Sequence, residues 1–386
     1  MRRCPSFWLL LLLPLLLPPN PVYAEKKPIK IGFFSPLSGP QQSSGKALLD
    51  GATLAIEQIN RQGGIRGSKL KLIFRDDTSS SALGIQILRE LADQEQCVAV
   101  IGSPQTATLL ATMPIANEKQ ISLLAPGWAN EITRKGNSWL FRVGAYDQLV
   151  VACLASFAIR ELKWRKISIL YGNNEGGIQG GKDFARAVRK LGGNPISLAS
   201  FDSGDRDFTV QINKILKRRP DGVAVWGSVL ETANLVRQLR QMGYHGTIVA
   251  SANLSDTEFV EKCGEAADNT VFCAPLTPLS RRPLVGELVK NFQASFGYPL
   301  PSDAAASGYD AVMLLAKAIQ ASSPRDRKAL QKALSYIKNY ELSQGVYTYE
   351  ASHGDGLRSL SLLTYLSRQL ILLQDQYGPD PRVLIP

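Results

Sequence analysis

Apolar and polar positions along the chain follow two alternating periods, one typical of buried strands and one typical of amphipathic helices. Short apolar runs such as 97–101 and 222–226 alternate with segments such as 47–60 and 232–242, in which apolar residues recur every three to four positions. Strands that alternate with helices of 10–15 residues indicate βαβ units and parallel sheets. The pattern therefore predicts an α/β fold.

The alternation restarts after Asp147, so we expect two doubly wound lobes. The predicted strands are 29–34, 70–74, 97–101, 121–124, 166–171, 196–201, 222–226 and 247–251. The predicted helices are 47–60, 82–94, 107–119, 150–160, 181–191, 208–217 and 232–242. Further on, 346–349 and 360–373 are predicted to be strands that return to these sheets, and the last residues, 381–386, are predicted to be disordered.

The N-terminal segment has a different pattern. Arg2 and Arg3 precede an apolar run at 7–17, and the small residue Ala24 follows a group of prolines. This order is typical of a secretory signal peptide, and the run has about half of the ~20 residues that a membrane-spanning helix needs. We expect cleavage near Ala24 and a periplasmic or secreted protein.

Length and charge refine this prediction. The chain has 386 residues, and single cores rarely grow beyond ~250–300 residues, so two domains are expected. The formal net charge is +11, but the basic residues are spread along the chain instead of forming one patch. Nucleic-acid binding is therefore not inferred.

The cysteines after the predicted signal are Cys97, Cys153, Cys263 and Cys273. No C-x-x-C pair occurs among them, so neither a zinc site nor thioredoxin-like chemistry is indicated. An exported protein can form disulfides. Cys263 and Cys273 would close a short loop and are the candidate pair.

Enzyme signatures are scarce in this sequence. It has only His245 and His353, and it lacks a G-x-S-x-G motif. The glycine-rich stretch 172–181 follows a predicted strand but lacks the Lys-Ser/Thr of a phosphate-binding loop. It is interpreted as a flexible strand-to-helix loop. We expect no catalytic residue, no metal and no cofactor.

Three segments that follow predicted strands carry polar or aromatic candidates, and each segment has two interpretations. Ser103 and Thr106 would form a small anion site with free backbone N–H groups, or Ser103 would simply cap the helix. Trp128 would be a pocket wall or a packed residue. Glu231 would bind a ligand or would be an acid at the positive end of a helix.

A set of short segments, in this order, resembles the periplasmic binding proteins that feed branched-chain amino-acid and amide transporters. These segments are Ile31-Gly32 to Ser38-Gly39-Pro40, Gly45, Ile59-Asn60 to Gly63-Gly64-Ile65, Arg75-Asp76-Asp77, Ile101-Gly102, Phe141-Arg142, Asp207-Phe208, Trp226-Gly227 and Tyr309-Asp310-Ala311. The resemblance implies two α/β lobes that are joined by three crossover strands and close on a ligand. On this basis the N-terminal lobe is expected at 25–144 and 275–345, and the C-terminal lobe at 145–274 and 346–386.

The resemblance also assigns residue roles. Thr106 falls on the position of a ligand-binding serine, and Glu231 on that of an acid that holds the ligand ammonium. Ser44 and Gly176 replace common aromatic walls, which Trp128 would supply instead. The ligand-binding candidates are Ser44, Ser103, Thr106, Gly127, Trp128, Ala129, Gly176, Glu231 and Asn253.

These features predict a solute-binding protein of an ABC importer that binds an amino acid or a related amide. Its partners would be membrane permease subunits, and the protein would be a monomer. One alternative is a sensor subunit of the same fold that acts on a separate signalling partner. The other is a secreted enzyme on a doubly wound fold, which the scarcity of histidines disfavours.

Overall fold

The computed structural model describes residues 26–134, 136–251, 254–255, 257–350 and 354–384. The predicted signal peptide and the candidate Asn253 lie outside the described residues. Within the described part of the chain, no helix is both long enough and apolar enough to cross a membrane.

The strands and helices are as follows. The strands are β1 Lys26–Ser35, β2 Ser68–Asp76, β3 Ala99–Ile101, β4 Ser122–Ala125, β5 Leu140–Arg142, β6 Lys166–Gly172, β7 Asn194–Phe201, β8 Gly222–Trp226, β9 Ile248–Ala250, β10 Thr270–Ala274, β11 Tyr340–Glu341, β12 Val346–Tyr347, β13 Leu360–Leu366 and β14 Gln369–Tyr377. The α-helices are α1 Gln42–Arg61, α2 Ser81–Asp93, α3 Thr106–Glu118, α4 Glu131–Arg134, α5 Asp147–Ser156, α6 Glu175–Lys190, α7 Thr209–Leu216, α8 Val229–Gln241, α9 Thr257–Cys263, α10 Pro283–Phe296, α11 Asp303–Ala321, α12 Arg327–Ser335 and α13 Pro381–Leu384. A π-helical turn at Phe157–Glu161 continues α5, and a 3₁₀ turn at Gly264–Ala267 continues α9.

The first lobe is built on a parallel sheet with the strand order β2-β1-β3-β4-β5. Side chains of α2 and α3 form one buried cluster with this sheet, and those of α1 and α11 form another on its opposite face. All residues of β3 and β4 are buried as a result. Burial on both faces explains why these strands are continuous apolar runs in the sequence.

The second lobe is built on a sheet with the order β14-β13-β10-β9-β8-β6-β7. Its strands from β10 to β7 are parallel, whereas β13 and β14 are antiparallel to their neighbours. The stretch predicted as returning strands at 360–373 forms this hairpin, and its turn lies at Ser367 and Arg368, which both have positive φ. By contrast, β12 in the predicted strand 346–349 pairs with β11 in a separate ribbon.

The sequence interpretation of the glycine-rich stretch 172–181 is wrong. Helix α6 begins at Glu175, because the Asn174 side chain caps it by accepting a hydrogen bond from the Gly177 N–H at 2.9 Å. Gly180 lies in this helix against Trp226, where an added Cβ would come within 2.1 Å of the indole ring. The glycines therefore allow close packing of a helix on the sheet.

The prediction of disorder at the C-terminal end is also wrong for the residues that the structure describes. Helix α13 packs against α5, and the side chain of Asp380 before it is buried. Asp380 accepts hydrogen bonds from Arg160 and Arg382, and its backbone N–H donates to Ser156 at 2.9 Å. These bonds attach the end of the chain to the second lobe.

The predicted disulfide between Cys263 and Cys273 is absent, since all cysteines in the described part of the chain are free thiols. Cys273 on β10 belongs to the cluster beside α5 and α6, whereas Cys263 belongs to the cluster on the opposite face of the sheet. Cys263 donates instead to the Ala233 carbonyl at 3.2 Å. Burial raises the pKa of both thiols, that of Cys263 to about 12, so neither position favours a reactive thiolate.

The chain crosses between the lobes three times, after β5, after β10 and before β13. Arg142 lies at the first crossing and is fully buried. Its Nε donates to Asp355 Oδ1 at 2.6 Å, and its backbone N–H donates to the Gly354 carbonyl at 2.7 Å. This backbone pairing is part of a parallel bridge between Arg142 and Asp355, so the first and third crossings are tied together.

A second buried network lies beside Arg142. The carboxylate of Asp310 is fully buried and accepts hydrogen bonds from Ser343, Gln344 and Tyr347. Burial raises the pKa of this carboxyl, although these hydrogen bonds act in the opposite direction. Asp310 belongs to α11 of the first lobe, so this network anchors the third crossing segment to that lobe.

We expect Arg142→Met to destabilise the protein by about 3–5 kcal/mol, because it leaves the mostly buried Asp355 without its cation. The free energy of unfolding in urea measures this loss. The control is Arg61→Met, which removes an exposed ion pair with Glu57 (66% and 53% side-chain exposure) and should cost less than about 1 kcal/mol. Equal losses in the two variants would contradict the role given to Arg142.

Candidate ligand-binding site

A pocket of about 580 Å³ lies at the carboxyl ends of the strands of the first sheet. Open parallel sheets bind ligands at this edge, and the volume is in the range of small-molecule sites. Its lining consists of Gln41, Ser44, Ser79, Pro104, Gln105, Thr106, Ala107, Pro126, Trp128, Asp303, Ala304 and Ser307. All of these residues belong to the first lobe.

The loop after β3 supplies one edge of the pocket. Helix α3 begins at Thr106, and its N-cap residue, Gln105, makes no side-chain capping hydrogen bond. The first N–H groups of a helix have no partner within the helix. Gln105, Thr106 and Ala107 all line the pocket, so the positive end of α3 is directed toward it.

Ser103 is fully buried and is not part of this lining. Its hydroxyl accepts from the Gln105 N–H at 3.5 Å, and the nearby carboxyl of Asp77 accepts from the Ser79 N–H at 2.9 Å. Burial raises the pKa of Asp77, and its Oδ2 atom has no hydrogen-bond partner in the described structure. Ser103 therefore lies behind the residues that line the pocket and does not face the pocket itself.

Arg142 fixes the loop after β4. Its guanidinium donates to the carbonyl of Gly127 and, at 2.7 Å, to that of Ala129. Gly127 and Ala129 thus bind Arg142 through their backbone carbonyls, and neither residue is part of the pocket lining. Trp128 lies between them and lines the pocket.

Helices α1 and α11 supply the opposite wall. They pack so closely that a Cβ on Gly308 would lie 2.0 Å from the Leu48 carbonyl oxygen. This approach places Ser44 of α1 beside Asp303 and Ser307 of α11 in the same pocket. Ser307 lies one helical turn after Asp303, so both side chains lie on one face of α11.

Glu231 lies at the first turn of α8 in the second lobe and is only 8% exposed. Its Oε2 accepts hydrogen bonds from both the backbone N–H and the hydroxyl of Ser228 at 2.9 Å, and its own N–H donates to Ser228 Oγ at 3.3 Å. This is a capping box. Glu231 is therefore held at the helix end and is largely buried, not exposed to solvent. Within the described residues, Oε1 makes no hydrogen bond.

Glu231 and Gly176 do not share a pocket with Thr106 in this structure. Gly176 is exposed in the first turn of α6. The lining of the pocket comes from the first lobe alone. The structure therefore does not bring the candidates of the second lobe next to those of the first lobe.

The ligand-binding candidates of the sequence analysis did not include most of the lining residues, which are Gln41, Ser79, Pro104, Gln105, Ala107, Pro126, Asp303, Ala304 and Ser307. Asp303 is far along the chain from the other candidates and looks like an ordinary first-turn acid. Only the packing of α11 on α1 brings it to the site. Within the described residues, no group of three or more His, Cys, Asp or Glu side chains could hold a metal ion.

We expect Glu231→Ala to lower the free energy of unfolding by about 0.3–1.5 kcal/mol, because it removes the acceptor that completes the capping box. Glu231→Gln should cost less, since the amide oxygen can still accept from Ser228. Urea unfolding of the ligand-free variants measures both. An alanine variant as stable as the glutamine variant would argue against this capping role.

Comparison with known proteins places the chain in a family. The model of the family described as periplasmic binding protein matches residues 28–366. Among curated proteins, the chain is similar to Leu/Ile/Val-binding protein homolog 3 of Brucella melitensis biotype 1, with 26% identity over 83% of this chain and 87% of that protein.

Solved structures share the fold. One is a putative branched-chain amino acid ABC transporter protein from Rhodospirillum rubrum, with a TM-score of 0.83, 21% identity and coverage of 90% of this chain and 100% of that chain. Another is the substrate-binding protein LivJ from Streptococcus pneumoniae in complex with isoleucine, with a TM-score of 0.71, 24% identity and coverage of 91% and 100%. With the family model matching most of its length, this chain belongs to the periplasmic binding protein family.

Proposed function

We propose that this protein is the periplasmic substrate-binding component of an ABC importer and that it binds an amino acid or a related amide between its two lobes. The family consists of substrate-binding proteins and not of enzymes. The observation that carries the proposal is the pocket at the strand ends, with the uncapped N-terminus of α3 at its edge.

Two features provide complementary anchors for an α-amino acid. The N–H groups at the start of α3, together with the Thr106 hydroxyl, would hold the ligand carboxylate. The Oε1 atom of Glu231, which makes no hydrogen bond within the described residues, would accept from the ligand ammonium while Oε2 keeps its bonds to Ser228. Trp128 would form the aromatic wall, because Ser44 and Gly176 lack rings.

The names of the relatives support transport over the sensor alternative. The Brucella melitensis relative is named for binding Leu, Ile and Val, and the Streptococcus pneumoniae structure contains isoleucine. The Streptococcus pneumoniae protein is described as the substrate-binding protein of a transporter, and neither name refers to signalling. The specific ligand of this chain stays a proposal.

The remaining parts of the proposal concern export and assembly. The signal peptide would be cleaved near Ala24, and the protein would act as a monomer that docks on membrane permease subunits and binds no nucleic acid. The lobes would comprise 25–144 with 275–345 and 145–274 with 346–386, and the pocket would be completed when they close.

We expect Glu231→Gln to weaken binding of an α-amino acid roughly tenfold to a hundredfold, because a charge-assisted hydrogen bond contributes about 1.5–3 kcal/mol. Thr106→Ala should weaken it less, since the backbone donors remain. A thermal-shift screen of amino acids, amides, urea and short carboxylates first identifies a ligand. Calorimetric titration then compares the variants.

The control for this titration is Glu258→Gln, which neutralises an exposed first-turn acid of α9 in the same lobe. It should bind as tightly as the wild type. If Glu231→Gln also binds with unchanged affinity, the ammonium assignment is wrong and Glu231 serves only as a helix cap.

We also expect the lobes to close on the ligand, because a ligand that contacts both lobes favours the closed form. Small-angle X-ray scattering should then give a smaller radius of gyration at saturating ligand. An unchanged radius, with binding verified by calorimetry in the same sample, would contradict closure.

A further inference from the structure

The composition of the pocket carries information about the ligand side chain. Its described lining contains the amides of Gln41 and Gln105, several hydroxyls and Trp128, and its only aliphatic members are prolines and alanines. A branched aliphatic side chain placed there would desolvate polar groups without giving them new partners, which is unfavourable. The lining therefore favours a ligand whose distal end is polar.

Asp303 is the only charged residue in this described lining. Its side chain is partly buried, and it makes no ion pair within the described residues. The nearby backbone of Asp303 and Ala304, in its own first helical turn, acts to lower the pKa of this carboxyl. Burial raises the pKa of the Asp303 carboxyl, as expected for an acid that has lost water and has no cation beside it.

The ordinary interpretation of Asp303 is an acid that stabilises the N-terminus of α11. That role needs only an exposed position on the first turn. Asp303 instead lies in a pocket with Ser44 and Trp128, on a helix held rigidly by the contact between Gly308 and Leu48. A fixed acid in a concave polar site is suited to binding a ligand group.

We propose that Asp303 binds a cationic group at the distal end of the ligand, so that this protein selects a basic amino acid with a guanidinium or ammonium side chain. The inference rests on the proposed function and adds the ligand class to it. The positive end of α3 and the carboxylate of Asp303 would then interact with opposite charges on one ligand.

Calorimetric titration of the full-length mature protein with matched ligand pairs tests this assignment. Arginine is compared with citrulline, its neutral analogue of similar shape, and lysine with norleucine. We expect each cationic member to bind roughly tenfold to a hundredfold more tightly than its neutral partner. In Asp303→Asn the ratio of the two dissociation constants in each pair should fall to about one. The affinity for citrulline should be the same as in the wild type.

Two further variants separate recognition from a structural role. Asp303→Glu keeps the charge and should retain part of the preference. Glu57→Gln neutralises an exposed acid of the same lobe (53% side-chain exposure) and should keep the whole preference. Thermal unfolding of each ligand-free variant verifies that it is folded. If Asp303→Asn weakens the binding of all ligands equally, Asp303 does not recognise the ligand side chain and the inference is wrong.

The outcomes also distinguish this inference from the function on which it rests. Tighter binding of leucine, isoleucine, valine or glutamine than of arginine and lysine overturns the charge selection but leaves an amino-acid binding protein. No binding of any amino acid or amide by the folded wild type overturns the proposed function itself.

Discussion

The buried guanidinium of Arg142 is the interaction on which both the crossing region and the pocket depend. Through Asp355 it joins two of the three segments that connect the lobes, and through the carbonyls of Gly127 and Ala129 it shapes the loop that presents Trp128. Arginine suits this position because its planar donors can serve several acceptors at fixed angles. One side chain therefore contributes both to the shape of the pocket and to the path of two of the crossings.

The alternation of strands and helices was predictable because burial on both faces makes the strands of a parallel sheet uniformly apolar. The fold class and the two sheets follow from that pattern. The start of α6 could not be predicted from it, because glycines normally indicate a loop. In this protein Asn174 caps the helix, and Gly180 packs against Trp226. Tertiary packing overrode the local preference.

The candidate site was predictable where it is built from loops next to strand ends. Thr106, Trp128 and Ser44 line the pocket, but Ser103, Gly127 and Ala129 hold its shape from outside the lining. Sequence position alone does not distinguish a side chain that faces a pocket from a backbone atom that supports it. Asp303 could not be found this way, since the contact between α1 and α11 joins distant parts of the sequence, such as Gln58 and Tyr309, which are 251 positions apart.

The interleaved course of the chain affects how the protein reaches its native state. The first sheet is complete at β5, yet α11, which covers one of its faces, begins at Asp303. Helix α1 covers only part of this face, so an emerging chain would leave the rest of it exposed until most of the sequence is available. Contacts between such distant segments slow folding, because long loops must close before they contribute stability. A chain that folds late remains extended for longer, which suits passage across a membrane before the lobes assemble.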